Sequence, residues 1–66
     1  MLVYPNPATN EVRFTTPVNG IYNISNLLGE IVQAGKLNEV STLKLNNLTA
    51  GVYLLTLGKS HTKLVV

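Results

Sequence analysis

"NLLGEIVQAGKL", residues 26–37, decides the fold class, because one stretch reads either as a helix or as a turn followed by a strand. Leu27, Leu28, Ile31 and Val32 fall at roughly helical spacing. Against the helix stand Gly29 and Gly35, each costing about 1 kcal/mol in a helix interior. A reversal bracketed by Asn26 and Gly29, followed by extended chain from Glu30, needs no such concession. In that strand Val32 and Ala34 are in phase, and Gly35 suggests a bulge or a strand end.

Alternation of apolar and polar residues spreads outward from this point in both directions. In "NEVRFTT" (10–16), Val12 and Phe14 point one way while Glu11, Arg13 and Thr15 point the other. "TPVNG" (16–20) gathers Pro17, Asn19 and Gly20 into an expected turn, and "IYNIS" (21–25) places Tyr22 and Ile24 on one face. Downstream, "STLKLNNL" (41–48) sets Leu43 and Leu45 inward around Lys44, with Leu48 closing the bottom of the core. "TAGVYLLTL" (49–57) is apolar on both faces, with Tyr53, Leu55 and Leu57 opposite Val52 and Leu54, and belongs at the centre of a sheet. "GKSH" (58–61) makes a turn, and "TKLVV" (62–66) runs extended with Leu64 and Val66 sharing a face. Six or seven short strands at intervals of about 8–12 residues indicate an all-β sandwich or barrel whose neighbours are mostly antiparallel.

"LVYPNPATNEVRF" (2–14) opens the chain on a sheet margin. Pro5 and Pro7 lack an N–H and bias Tyr4 and Asn6 toward extended angles, which suits an edge and forbids a central position. Met1 followed at once by strand-like sequence fits a segment excised from a longer protein. No apolar run approaches the roughly 20 residues that span a bilayer, and no basic segment leads into an apolar stretch at the start.

Composition limits the function classes. A domain of 66 residues buries only about 60% of the surface its unfolded chain exposes. Without cysteine, no disulfide or thiolate metal site supplements the core. Charged residues make up 12% of the chain, against about 25% in ordinary domains. Arg13, Lys36, Lys44, Lys59 and Lys63 are scattered singly, so the net charge of +2 describes a solvated surface rather than a groove for nucleic acid.

Catalytic groups are equally sparse. His61 falls in the expected 58–61 turn with no Cys or Asp anywhere in the chain, so a triad, dyad or metal cluster is not indicated. Glu11, Glu30 and Glu39 are too few for a calcium site and read as solvated strand starts or turns. Neither a cofactor nor a small-molecule substrate is indicated, and an enzyme is not expected. "NIS" at Asn23 and "NLT" at Asn47 match the glycosylation pattern, but Asn23 falls in an expected strand. Tyr22 and Tyr53 alternate with core positions and read as core tyrosines with marginal hydroxyls rather than a sugar-stacking platform.

Three stretches in order carry a resemblance: "VYPNPATNEVRF", "ISNLLGEIV", and "LKLNNLTAGVYLLTL" followed by "TKLVV". Together they resemble the C-terminal sorting domain of the type IX (Por) secretion system, across essentially the whole chain. Tyr4, Pro5, Asn6 and Pro7 match the family's opening signature. Asn26 and Gly29 match its D/N-x-x-G turn, and Gly51, Val52 and Tyr53 its G-x-Y motif. Lys63, Leu64, Val65 and Val66 match its closing strand. Asn26 stands where Asp is frequent and Ser25 where a bulky apolar residue is common. No basic residue follows Val66.

The resemblance implies a small immunoglobulin-like antiparallel β-sandwich of about seven strands that serves as an export tag. It further implies partners in the type IX translocon, an outer-membrane shuttle protein and a sortase-like peptidase. The passenger would travel through the periplasm and outer membrane to the cell surface or the medium, with the tag monomeric or weakly self-associating. A competing expectation is an accessory carbohydrate- or protein-binding module of a secreted hydrolase or adhesin, since small sandwiches serve both ends.

Overall fold

The computed structural model describes Val3 and Tyr4 by their backbone, and residues 10–46 and 48–66 in full. Among the described residues five strands follow one another: β1 (Val3–Tyr4), β2 (Glu11–Ser25), β3 (Ile31–Lys44), β4 (Val52–Leu57) and β5 (Ser60–Val65). All pairings are antiparallel and belong to one sheet. β2 carries β3 along one side, with β1 and then β4 along the other, and β5 lies beyond β4. Pro5, Asn6 and Pro7 lie outside the described residues.

Two strands are double-length, and they cannot be straight. Fifteen residues of β2 would extend about 50 Å at 3.3 Å per residue, yet the longest dimension of the body is 28 Å. β2 and β3 therefore fold over together midway. Phe14 to Pro17 on β2 face only Ser41, between the pairs Arg13↔Thr42 and Val18↔Val40. Next, Asn19 faces both Asn38 and Glu39, and Glu39 is held at φ 49 with its N–H donated to Asn19 Oδ1 at 2.7 Å. Such register shifts bend and twist a ladder.

This bend replaces the expected turn at Pro17–Gly20. Pro17 is tolerated there because its residue needs no ladder hydrogen bond. The seven short strands expected become five for the same reason: two pairs of them are joined through the bend. On one side of the fold lie β1 and the near ends of β2 and β3; on the other lie β3, β2, β4 and β5 in that order.

The two halves close on one core. Val12, Phe14 and Leu43 from the near half join Tyr22, Ile24, Tyr53, Leu55 and Leu64 from the far half, with Leu48, Leu57 and Val66 packed against them. Ile24, Leu55, Leu64 and Val12 are fully buried. The alternation read at these positions holds, and β4 lies between β2 and β5, with Val52 and Leu54 on its outer face left exposed.

In β3 the phase differs from the expectation. Val32 is an extra residue between the pairs Ile24↔Gln33 and Ser25↔Ile31, so Val32 and Ala34 are exposed while Gln33 and Leu37 turn inward. A one-residue slip exchanges the faces of everything beyond it. Gln33 Nε2 donates to Tyr22 Oη at 3.0 Å and to the Lys44 carbonyl at 2.8 Å, and its Oε1 accepts from Asn46 N–H at 2.9 Å. The two ends of β3 are thereby tied together across the bend. Gly35 is neither a bulge nor a strand end: it pairs with Tyr22, whose ring lies so close that a Cβ would meet Cε1 at 3.0 Å.

Candidate recognition surface

Three segments far apart in sequence meet at the β2–β3 turn. The turn itself is built by Asn26, whose side-chain oxygen accepts from Leu28 N–H at 2.9 Å and Glu30 N–H at 3.0 Å. Its backbone closes the loop, with Gly29 N–H donated to Asn26 O at 3.0 Å and Asn26 N–H donated to Glu30 O at 2.9 Å. Asn26 Nδ2 also donates to the Glu30 carboxylate at 3.0 Å. Gly29 stands at φ 84, where a Cβ is strained. Asn and Gly were chosen by local turn chemistry, and an Asp would supply the same acceptor oxygen.

The second segment is Gly51–Tyr53. Gly51 and Val66 exchange two backbone hydrogen bonds, at 3.0 and 2.9 Å, which continue the β4–β5 ladder to the last residue. Tyr53 is buried, and its hydroxyl donates to the Thr49 carbonyl at 2.6 Å. With that proton committed, the Thr49 hydroxyl at 3.1 Å is the donor to the phenol oxygen. The bond fixes the loop that enters β4.

The third segment is the closing strand. Leu64 lies inward against Tyr53, while Lys63 pairs with Leu54 and Val65 with Val52 on the outer face. Two open clefts of about 370 and 450 Å³ run on either side of Leu27, sharing Asn26, Val52 and Tyr53 among their walls. Gly51 borders one cleft, and Gly29 and Lys63 border the other. Asn26, Gly29, Gly51, Tyr53 and Lys63, singled out from separate stretches of sequence, are thus neighbours. Tyr4 is not placed with them by pairing: its partner Arg13 lies near the opposite end of β2.

A model of the secretion system C-terminal sorting domain family matches residues 2–66 of the chain. The chain belongs to this family. It is a sorting signal for type IX secretion, recognised by that machinery and implying export to the cell surface or extracellular space. No curated protein and no solved structure matches the chain.

Other expectations fall into place around the sorting domain. His61 is not in a turn: the reversal is confined to Gly58 and Lys59, and His61 lies in β5 opposite Thr56 on the exposed face. Tyr22 and Tyr53 are 6% and 7% exposed, so neither can stack a sugar ring, and a carbohydrate-binding reading is not favoured. Asn23 lies within β2, and Asn47 is outside the described residues. Glu39 sits inside β3 at the bend rather than at a strand start. Glu11 and Arg13 approach to 3.7 Å on the exposed side of β2, a partly solvated pair of small consequence. Among the described residues no His, Asp or Glu cluster fit for a metal is gathered, and no helix is long and apolar enough to cross a membrane.

Sequence reasoning missed Gln33, Leu27 and Leu28. Gln33 reads as a surface residue until Lys44 and Asn46 are brought to it. The two leucines fall inside the expected reversal with no role read for them, and Leu27 is 80% and Leu28 85% exposed.

Proposed function

We propose that the chain is the folded export tag of a longer secreted protein, and that its recognised surface is the end formed by Asn26–Gly29, Gly51–Tyr53 and Lys63–Val66. The observation that carries this reading is the convergence of those three segments on adjoining clefts. Motif and closing strand hold one another: Gly51 needs Val66 for its ladder bonds, and Tyr53 packs on Leu64.

In this reading the translocon and an outer-membrane shuttle protein bind the folded tag, and a sortase-like peptidase removes it as the passenger is attached to the surface or released. The tag is not itself catalytic; its Asn and Tyr side chains and glycine turns shape a surface and offer no nucleophile with a base. An immunoglobulin-like strand arrangement is consistent with one sheet folded over itself.

Fusing residues 1–66 with a native upstream linker to a reporter, in a bacterium that has this secretion system, tests the reading. Export of the fusion is expected, and retention as complete as that of an untagged control sinks it. Deleting Lys63–Val66 is expected to abolish export. Leu64 is fully buried, so circular dichroism of the purified variant tells loss of fold from loss of docking.

A further inference from the structure

The Asn26–Gly29 turn shows two leucines to solvent, and it holds them rigidly. Five hydrogen bonds fix Asn26 to Glu30, Leu28 and Gly29. A turn that served only to reverse the chain would carry polar residues at its tip. Around it the exposed apolar surface continues through Ile31, Val32, Val52 and Leu54, of which Ile31 is 63% exposed. The clefts on both sides of Leu27 leave room for side chains of another molecule. Anchors of this kind, preorganised and apolar, lose little conformational freedom on binding.

We infer that Leu27 and Leu28 form a rigid apolar prong that seats in an apolar pocket of a protein partner, beside a partner carboxylate that faces Lys63. The inference rests on the export reading and names the chemistry of the partner within it. Charge complementarity selects the carboxylate: Lys63 lines the cleft beside Leu27, and no acidic side chain lines either cleft among the described residues.

Area argues against a second copy. A stable dimer buries about 800 Å² per partner, close to a fifth of the 4343 Å² surface. Six side chains around one turn offer only a few hundred Å². A contact of that size suits a transient partner that must let go of the tag. A lipid surface is the poorer fit, since the cleft is bordered by a single lysine and carries no exposed aromatic anchor.

The test uses the reporter fusion with Leu27→Ser/Leu28→Ser and, separately, Lys63→Glu. Both leucines are solvent-exposed, so the purified double variant is expected to melt within about 3 °C of wild type. Its export is expected to fall about tenfold or more, with Lys63→Glu falling in the same direction. Should the double variant unfold, Leu28→Ala alone is expected to lower export about threefold. Failure of the wild-type fusion to export defeats the reading of the preceding section. Export of wild type together with near wild-type export of a folded double variant overturns the prong, and undiminished export of Lys63→Glu overturns the carboxylate. Sedimentation of the wild-type domain as a dimer that the double variant dissociates makes a second copy the occupant and overturns the proposal. Flotation with phosphatidylcholine–phosphatidylglycerol vesicles that the double variant abolishes does the same in favour of lipid.

Discussion

Replacing Gln33 with methionine tests whether the sheet is held folded by the amide that bridges its two halves. Methionine keeps the length of the side chain while removing both donors and the acceptor. Three groups then lose their partner: the Tyr22 hydroxyl, the Lys44 carbonyl and the Asn46 N–H. A buried polar group left unpaired costs about 1–3 kcal/mol. The Tyr22 contact is buried, whereas the other two are part-buried and partly recovered by water, which sets the sum near 3–4 kcal/mol. Burial of the thioether in place of an amide returns about 1 kcal/mol. The net expectation is a loss of about 2–3 kcal/mol, from a total of roughly 3–10 kcal/mol for a domain of this length. Urea unfolding followed by far-ultraviolet circular dichroism measures it, with an accompanying fall in melting temperature of about 10–20 °C. A loss under about 0.5 kcal/mol, within the usual range for surface substitutions, refutes the pin and with it the account of why β3 folds back on itself.

Two further substitutions probe the same body. Tyr53→Phe removes the bond to the Thr49 carbonyl while keeping the ring, and is expected to cost about 1 kcal/mol in urea unfolding; an unchanged midpoint refutes the idea that the hydroxyl fixes the loop into β4. Gly35→Ala pushes a methyl to 3.0 Å from Tyr22 Cε1 and is expected to destabilise by about 1 kcal/mol. In a Tyr22→Leu background the same change is expected to stabilise by about 0.5 kcal/mol, the ordinary gain of alanine over glycine in a strand; equal effects in both backgrounds refute the close approach of ring and backbone.

The residues that were legible in the sequence are those whose fate is decided locally. Val12 with Phe14, Tyr22 with Ile24 and Leu43 with Leu45 each bracket one outward residue, and a pleated strand converts that spacing directly into burial. Asn26 and Gly29 were legible because an Asx acceptor and a left-handed glycine make a turn without help from distant chain. The bend was not. Pro17, Asn19 and Gly20 suit any departure from the ladder, and only pairing with Val40 and Leu37 shows that the chain continues as the same strand. Gln33 was hidden for a related reason, since its burial is sensible only once Lys44 and Asn46 reach it from 11 and 13 residues away. Within the proposed recognition surface, the motif positions could be found one by one, but their convergence and the exposure of Leu27 and Leu28 are properties of the folded body.

The extra residue in β3 links fold and surface. With Val32 inserted between the rungs at Ile31 and Gln33, both Ile31 and Val32 face solvent instead of alternating. That enlarges the apolar ground beside the Leu27–Leu28 prong. The same slip carries Gln33 to the inner face, where its amide finds Tyr22, Lys44 and Asn46. A regular rung in its place would set one apolar side chain inward and leave less for a partner to hold. The bulge therefore lies between the structure's internal tie and its exposed anchor, next to the turn that begins the strand. This accounts for a small domain, without disulfides, keeping so much apolar surface uncovered: the side chains left outside belong to a segment whose polar residue ties the two halves of the sheet together.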